Sequence, residues 1–272
     1  MSALTTRPSS PVPSGASPSR ADAAPVLLRL DRVTRVHGTG AGEVRALDAI
    51  SLDVGPGELV AVMGPSGSGK STLLNLAGCL DTATDGTVVV GGVDVASLDA
   101  RGRAALRRRH VGFVFQDFNL VPALTAVENV SLPRELDGVP VRSARAEATA
   151  ALAAVGLDDL ADRFPDDMSG GQRQRVAIAR AIVGPRRLLL ADEPTGALDS
   201  VTGEAVMRVL RERVDAGAAG LLVTHDARHA AWADRTVFLK DGRLVDSTGR
   251  RAEPADLLDR DSASGDESGA TR

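Results

Sequence analysis

The chain has 272 residues, 43% of them hydrophobic and 25% charged, and its 32 basic and 36 acidic side chains leave a formal net charge of −4. That balance fits a globular protein with a sizeable core and excludes a global basic field directed at nucleic acid. A single cysteine, Cys79, excludes a disulfide framework and a multi-cysteine zinc site. No apolar run reaches the roughly 18–20 residues of a membrane-spanning helix, and the start carries no apolar signal core, so the reading is soluble and intracellular.

Residues 1–25 hold six Ser and five Pro and almost nothing to bury, which predicts a disordered tail. One domain follows over 26–251. It opens with strand patterns at 26–36 and 46–54 around a Gly-rich loop at 38–42, then a short buried strand at 59–63 that runs into glycines. A helix is expected over 70–79. Gly91-Gly92 between 87–90 and 93–95 is a two-residue hairpin signal. A helical pattern at 104–109 precedes an apolar run at 111–115. Ala-rich 143–155 and the three-to-four spacing of 171–182 predict two further helices. The run 188–191 and the strand 221–224 flank a helix over 202–214, and Asp241-Gly242 turns 237–239 onto 244–245. Continuous apolar strands interleaved with helices suit a parallel sheet buried on both faces, so the fold class is α/β with an antiparallel β annex. Residues 252–272, acidic and rich in Ser and Gly, read as a second disordered tail.

Two motifs carry chemistry. Gly64-Pro65-Ser66-Gly67-Ser68-Gly69-Lys70-Ser71 matches G-x-x-x-x-G-K-[ST], between a strand and a helix as its mechanism requires. Its glycines let successive backbone N–H groups converge on phosphate oxygens, and the positive end of the next helix favours the same charge. Lys70 is placed to reach β- and γ-phosphates and the Ser71 hydroxyl to bind Mg²⁺. Only two of the 32 basic residues are lysine, Lys70 and Lys240, so Lys70 marks a site that a guanidinium would not fit. The second motif is the apolar strand 188–191, which delivers Asp192 and Glu193 at its carboxyl end. Asp192 suits Mg²⁺ through water, and Glu193 could orient and deprotonate an attacking water. Together they mark a nucleoside triphosphatase.

Met168-Ser169-Gly170-Gly171-Gln172-Arg173-Gln174-Arg175 resembles the LSGGQ signature of ATP-binding-cassette (ABC) ATPases, with Met168 in the first position. Ser169, Gly170, Gly171 and Gln172 stand at a helix start, where free N–H groups and a hydroxyl can grip an anion; an N-capped amphipathic helix with no further task has the same pattern. Gln116 after the 111–115 run resembles the family's Q-loop, Ala197-Leu198-Asp199 its D-loop and His225 its switch histidine. Taken singly these are a strand-end polar residue, a helix N-cap and a capped core histidine. In the family's order and on the expected elements, they identify residues 26–248 as a member of the ABC ATPase superfamily. Stretches 64–74, 111–120, 124–133 and 191–200 are similar to the lipoprotein-releasing and macrolide-exporting ATPase subunits, with the cell-division ATPase a close cousin.

The resemblance implies a P-loop NTPase fold with a helical subdomain at about 117–182, ATP and Mg²⁺ as ligands, and a homodimer that sandwiches two ATPs head to tail. On this sequence Gly67, Gly69, Lys70, Ser71 and Thr72 would hold phosphates, and Ser71, Gln116 and Asp192 would serve Mg²⁺. Glu193 would be the general base, and His225 would fix the γ-phosphate and the attacking water. Ser169–Gln172 would face the other subunit's P-loop, and Asp199 would cross the interface. His37, in Arg35-Val36-His37-Gly38, stands where the family commonly stacks an aromatic on adenine; an imidazole offers less area than a phenol, which implies weaker adenine discrimination.

Transport would require a separate integral-membrane permease, placing the chain at the cytoplasmic face of the cell membrane. A docking groove is expected at Phe118, Leu120, Val121 and Leu124, which read equally well as core beneath a loop. Arg107-Arg108-Arg109 reads as a solvated face, and nucleic acid is not an expected partner. Two functions stay open: energising export or lipoprotein extraction, or a cell-division type of mechanical ATPase that regulates cell-wall enzymes without transport. A soluble repair or translation ATPase of the superfamily is disfavoured, because Gly64 and Ser169 lie too close for a long coiled-coil insertion and the chain carries one cassette.

Overall fold

The computed structural model describes residues 26–248, so the tails expected at 1–25 and 252–272 lie outside the described residues. In chain order its strands are β1 (Leu28–His37), β2 (Val44–Val54), β3 (Leu59–Met63), β4 (Asp85–Val90) and β5 (Val93–Asp94). They continue as β6 (Val111–Val114), β7 (Leu188–Asp192), β8 (Ala219–Val223), β9 (Arg235–Lys240) and β10 (Arg243–Ser247). An antiparallel sheet has the order β2-β1-β4-β5, and a six-stranded sheet the order β10-β9-β3-β8-β7-β6. All pairings in the larger sheet are parallel except β9 with β10.

Strand periodicity explains why the larger sheet is covered on both faces. Side chains alternate across a strand, and Leu59, Ala61 and Met63 of β3 enter one hydrophobic cluster while Val60 and Val62 enter another. β7 divides likewise, Leu189 and Ala191 against Leu188 and Leu190. The first cluster is closed by α3 (Ala126–Glu135), α4 (Val141–Ala154), α5 (Gly170–Ile182) and α6 (Ser200–Asp215); the second is closed by α1 (Lys70–Ala77), α2 (Ala100–His110) and the antiparallel sheet. Both hairpins form as their turn residues predict, with left-handed φ at Gly91 and Gly92 (58° and 84°) and at Asp241 and Gly242 (48° and 75°).

Two features differ from the sequence reading. The sequence reading places no element at 126–135, where helix α3 forms with Pro133 inside it. Its start was nevertheless encoded: Thr125 and Glu128 form a reciprocal capping box, Thr125 N donating to Glu128 Oε2 at 2.9 Å. The 107–109 arginines are tied down rather than simply solvated. Arg108 and Arg109 lie 3.4 and 3.3 Å from the largely buried carboxylate of Asp137, and Arg107 donates to the Cys79 carbonyl at 3.2 Å. A carboxylate removed from water needs cations beside it.

Candidate nucleotide site

The glycine loop after β3 is pressed between two backbones. A Cβ on Gly64 (φ 145°) would lie 2.0 Å from the Leu239 carbonyl oxygen, and one on Gly69 (φ 107°) 2.4 Å from that of Ala46. Only glycine fits either place. The β9–β10 turn braces the loop from below, Gly242 N donating to Ser68 O at 3.0 Å. Lys70 Nζ arches over it and donates to Gly64 O (2.7 Å) and Pro65 O (2.8 Å).

The loop opens on a cleft of about 700 Å³ lined by Lys70, Ser71, Thr72, Gln116, Asp192, Glu193 and His225, with Val44, Arg45 and Ala46 of β2 at its rim. Parallel strands bring these together: β3, β6, β7 and β8 all end on this side, and each releases its polar residue there. Ser71 Oγ donates to Asp192 Oδ2 at 3.3 Å. Burial pushes the Asp192 carboxyl up, as does the neighbouring Glu193 charge, against the opposing pull of Ser71 and Lys70. Among the described residues no group of three or more His, Cys, Asp or Glu side chains could hold a metal; the cleft offers hydroxyl, amide and carboxylate oxygens, the donor set of a hard cation.

Glu193 adopts a left-handed φ of 47°, uncommon for a side-chain-bearing residue. Its N–H donates to Val223 O at 3.0 Å. Its carboxylate accepts from His225 N at 3.0 Å and from Thr224 Oγ1 at 3.4 Å, and lies 2.8 Å from His225 Nδ1. The hydrogen bond and charge of Glu193 hold the His225 pKa above its ordinary value. Thr224 escaped the sequence reading, although its place between a strand end and the histidine was a usable signal. The β2 rim and the contact of Gly242 with the loop escaped it because nothing local tells which strands border the loop.

The signature residues stand elsewhere in the chain. Ser169 caps α5: its Oγ accepts from Gln172 N at 3.2 Å, while Gln172 Oε1 accepts from Ser169 N at 2.9 Å. A Cβ on Gly171 would lie 3.3 Å from Ala197 O, so signature and D-loop pack together, whereas Gly170 faces open space. Asp199 caps α6, accepting from Thr202 N at 3.0 Å and Thr202 Oγ1 at 2.8 Å. None of Ser169–Gln172 or Asp199 lines the cleft of Lys70; Asp199 instead borders a second cavity of about 420 Å³ beside Glu193 and His225. His37 is exposed and sits across β1–β2 from Val44, which lines the cleft, while His37 itself does not.

Around the expected groove, Leu120 packs on the core, Phe118 lies beneath the Arg173 guanidinium (5.8 Å to the ring centre), and Val121 is exposed. Buried Asn129 braces this loop, its amide nitrogen lying 2.9–3.1 Å from the carbonyls of Val121, Leu124 and Thr125, among which its two hydrogens are shared.

Residues 47–196 match the family model described as ABC transporter. The chain belongs to the ABC transporter family. It is 44% identical over 232 residues to the macrolide export ATP-binding/permease protein MacB of Hyphomonas neptunium, covering 85% of this chain and 36% of that protein. To MacB of Escherichia coli K12 it is 48% identical over 219 residues, 80% of this chain and 34% of that one. The chain thus spans about a third of the length of these curated relatives. The dimeric ATP-binding cassette MJ0796, solved in a post-hydrolysis state with ADP and Pi, superposes with a TM-score of 0.79 at 41% identity, covering 83% of this chain and 99% of that one. The fold is accordingly that of an ABC ATPase cassette. Among the described residues no helix is long and apolar enough to cross a membrane.

Proposed function

We propose that the chain is the ATP-binding and ATP-hydrolysing subunit of an ABC export complex. In this reading it closes as a homodimer on two ATPs and drives a separate integral-membrane permease from the cytoplasmic face of the cell membrane. The observation that carries the chemistry is the convergence of Lys70, Ser71, Gln116, Asp192, Glu193 and His225 on one cleft.

The loop amides and Lys70 bind the phosphates. Lys70 exchanges two neutral carbonyl acceptors for phosphate oxygens, which add the attraction between opposite charges to the hydrogen bonds. The residues present fit Mg²⁺: Ser71 Oγ and Gln116 would hold it and Asp192 would act through water, where a cation would offset the cost of burying this carboxylate. Mg²⁺ supplies charge neutralisation on the phosphates. Glu193 takes the proton of the attacking water, and His225, already bonded to it, orients the water and the γ-phosphate. His37 and Val44 border the adenine. The exposed Ser169 and the half-buried Gly170, which do not line this chain's own cleft, meet the nucleotide of a second copy, a reading supported by the dimeric MJ0796. Export is supported by the likeness to MacB.

Phosphate release by the full chain with Mg-ATP tests this. Glu193→Gln lowers kcat by about 10²–10⁴-fold while ATP still binds; turnover equal to that of the unaltered chain would contradict it.

A further inference from the structure

Besides Glu193 and His225, a second pair joins the segment after β7 to the segment after β8. Thr195 Oγ1 lies 3.0 Å from His229 Nδ1, on α7 (Ala227–Ala230), and Thr195 is buried. Neither residue belongs to the motifs read above for phosphate, metal or water.

The backbone of Glu193 explains what this pair does. A left-handed φ costs a side-chain-bearing residue about 1–2 kcal/mol and persists only where the surroundings over-determine it. On the amino side the Glu193 N–H is fixed to Val223 O at 3.0 Å. On the carboxyl side the turn closes through Gly196 N to Glu193 O at 3.1 Å, and Thr195, inside that turn, is the residue anchored to His229. The anchor itself is rigid. His229 N donates to Asp226 O at 3.1 Å, and Asp226 caps the same helix by accepting from Arg228 N at 2.8 Å. Helix α6 closes over the pair, since a Cβ on Gly203 would lie 3.6 Å from Thr195 Cγ2 and 3.9 Å from His229 Nε2.

We propose that His229 is a positioning residue for ATP hydrolysis: through Thr195 it pins the carboxyl side of Glu193 and so sets the aim of its carboxylate. This rests on the ATPase reading above. A hydroxyl donates and accepts, so Thr195 satisfies either tautomer of His229. The tie controls the base and not the phosphate-binding loop, so its loss falls on kcat.

Steady-state phosphate release by the full chain, with amide exchange at 193–198 on the same proteins, tests this. His229→Leu and Thr195→Val each lower kcat by about ten-fold or more, as small misplacement of a reacting group does, and leave the KM for ATP nearly unchanged. The double variant is no slower than either single one. His229→Asn, whose amide takes the place of Nδ1, recovers most of the turnover. Exchange at 193–198 quickens in the two bond-deleting variants and returns in His229→Asn. Unchanged kcat and exchange in His229→Leu, or losses that add in the double variant, would overturn the proposal. Failure of the ATPase reading shows itself differently, as phosphate release from the unaltered chain no faster than from Glu193→Gln.

Discussion

The carboxylate of Glu193 accepts from the backbone N–H of His225 at 3.0 Å and pairs with its ring Nδ1 at 2.8 Å. The two residues proposed to activate water therefore form one hydrogen-bonded unit, at the tips of adjacent strands β7 and β8. A base and its partner held to each other need less reorganisation at the moment of reaction.

The pairing makes His225 titrate above its ordinary range. A raised folded-state pKa contributes stability that is fully present below the unfolded value and lost as pH rises through the folded one. The melting-temperature gap between the unaltered chain and His225→Ala is therefore wider at about pH 6 than at about pH 9. Glu193→Gln returns the His225 titration, followed by NMR, towards its ordinary value. A His225 titration unmoved by that substitution would contradict the assignment.

Lys70 is one of two lysines among 32 basic residues, and its Nζ lies within 2.8 Å of two loop carbonyls. Lys70→Ala weakens ATP binding by about ten-fold or more by calorimetry. Lys70→Arg does not restore it, because a planar fork does not replace a compact ammonium.

Arg180 holds the loop after β6. Its guanidinium donates to Phe118 O at 2.6 Å and Asn119 O at 2.5 Å, and both of those residues have left-handed φ, 60° and 48°. Burial pushes its pKa down to about 10, which leaves it charged at neutral pH. Arg180→Ala speeds amide exchange over 116–125 and costs about 1–3 kcal/mol of stability. Arg180→Lys recovers little, since a shorter side chain with a compact ammonium does not reproduce the forked pair of donors.

Much of this was legible in the sequence, for identifiable reasons. The parallel strands were readable because burial on both faces demands unbroken apolar runs, and the hairpins because Gly91-Gly92 and Asp241-Gly242 supply left-handed φ. The glycine loop and the Asp192-Glu193 step carried their chemistry in residue type and order. Helix α3 was not legible past Pro133, although Thr125 and Glu128 announced its start. What remained hidden depends on which strands become neighbours. The β2 rim of the cleft, the brace from Gly242 to Ser68 and the Arg180 anchor join residues far apart in sequence. No local pattern encodes such partners.

His37 lies across β1–β2 from Val44, which lines the rim where the base is proposed to sit. Its small ring predicts weak selection for adenine: ATP and a triphosphate lacking the purine bind with affinities within a few-fold of each other. His37→Ala weakens ATP further. An unchanged ATP affinity in that variant would remove His37 from the site.

The head-to-tail dimer is the central claim, because it alone gives Ser169–Gln172 a role away from this chain's own cleft. Light scattering on Glu193→Gln, with and without Mg-ATP, tests it most directly. The account predicts a mass that doubles with Mg-ATP and returns to the monomer when nucleotide is removed. A nucleotide-saturated Glu193→Gln chain that stays monomeric would contradict it.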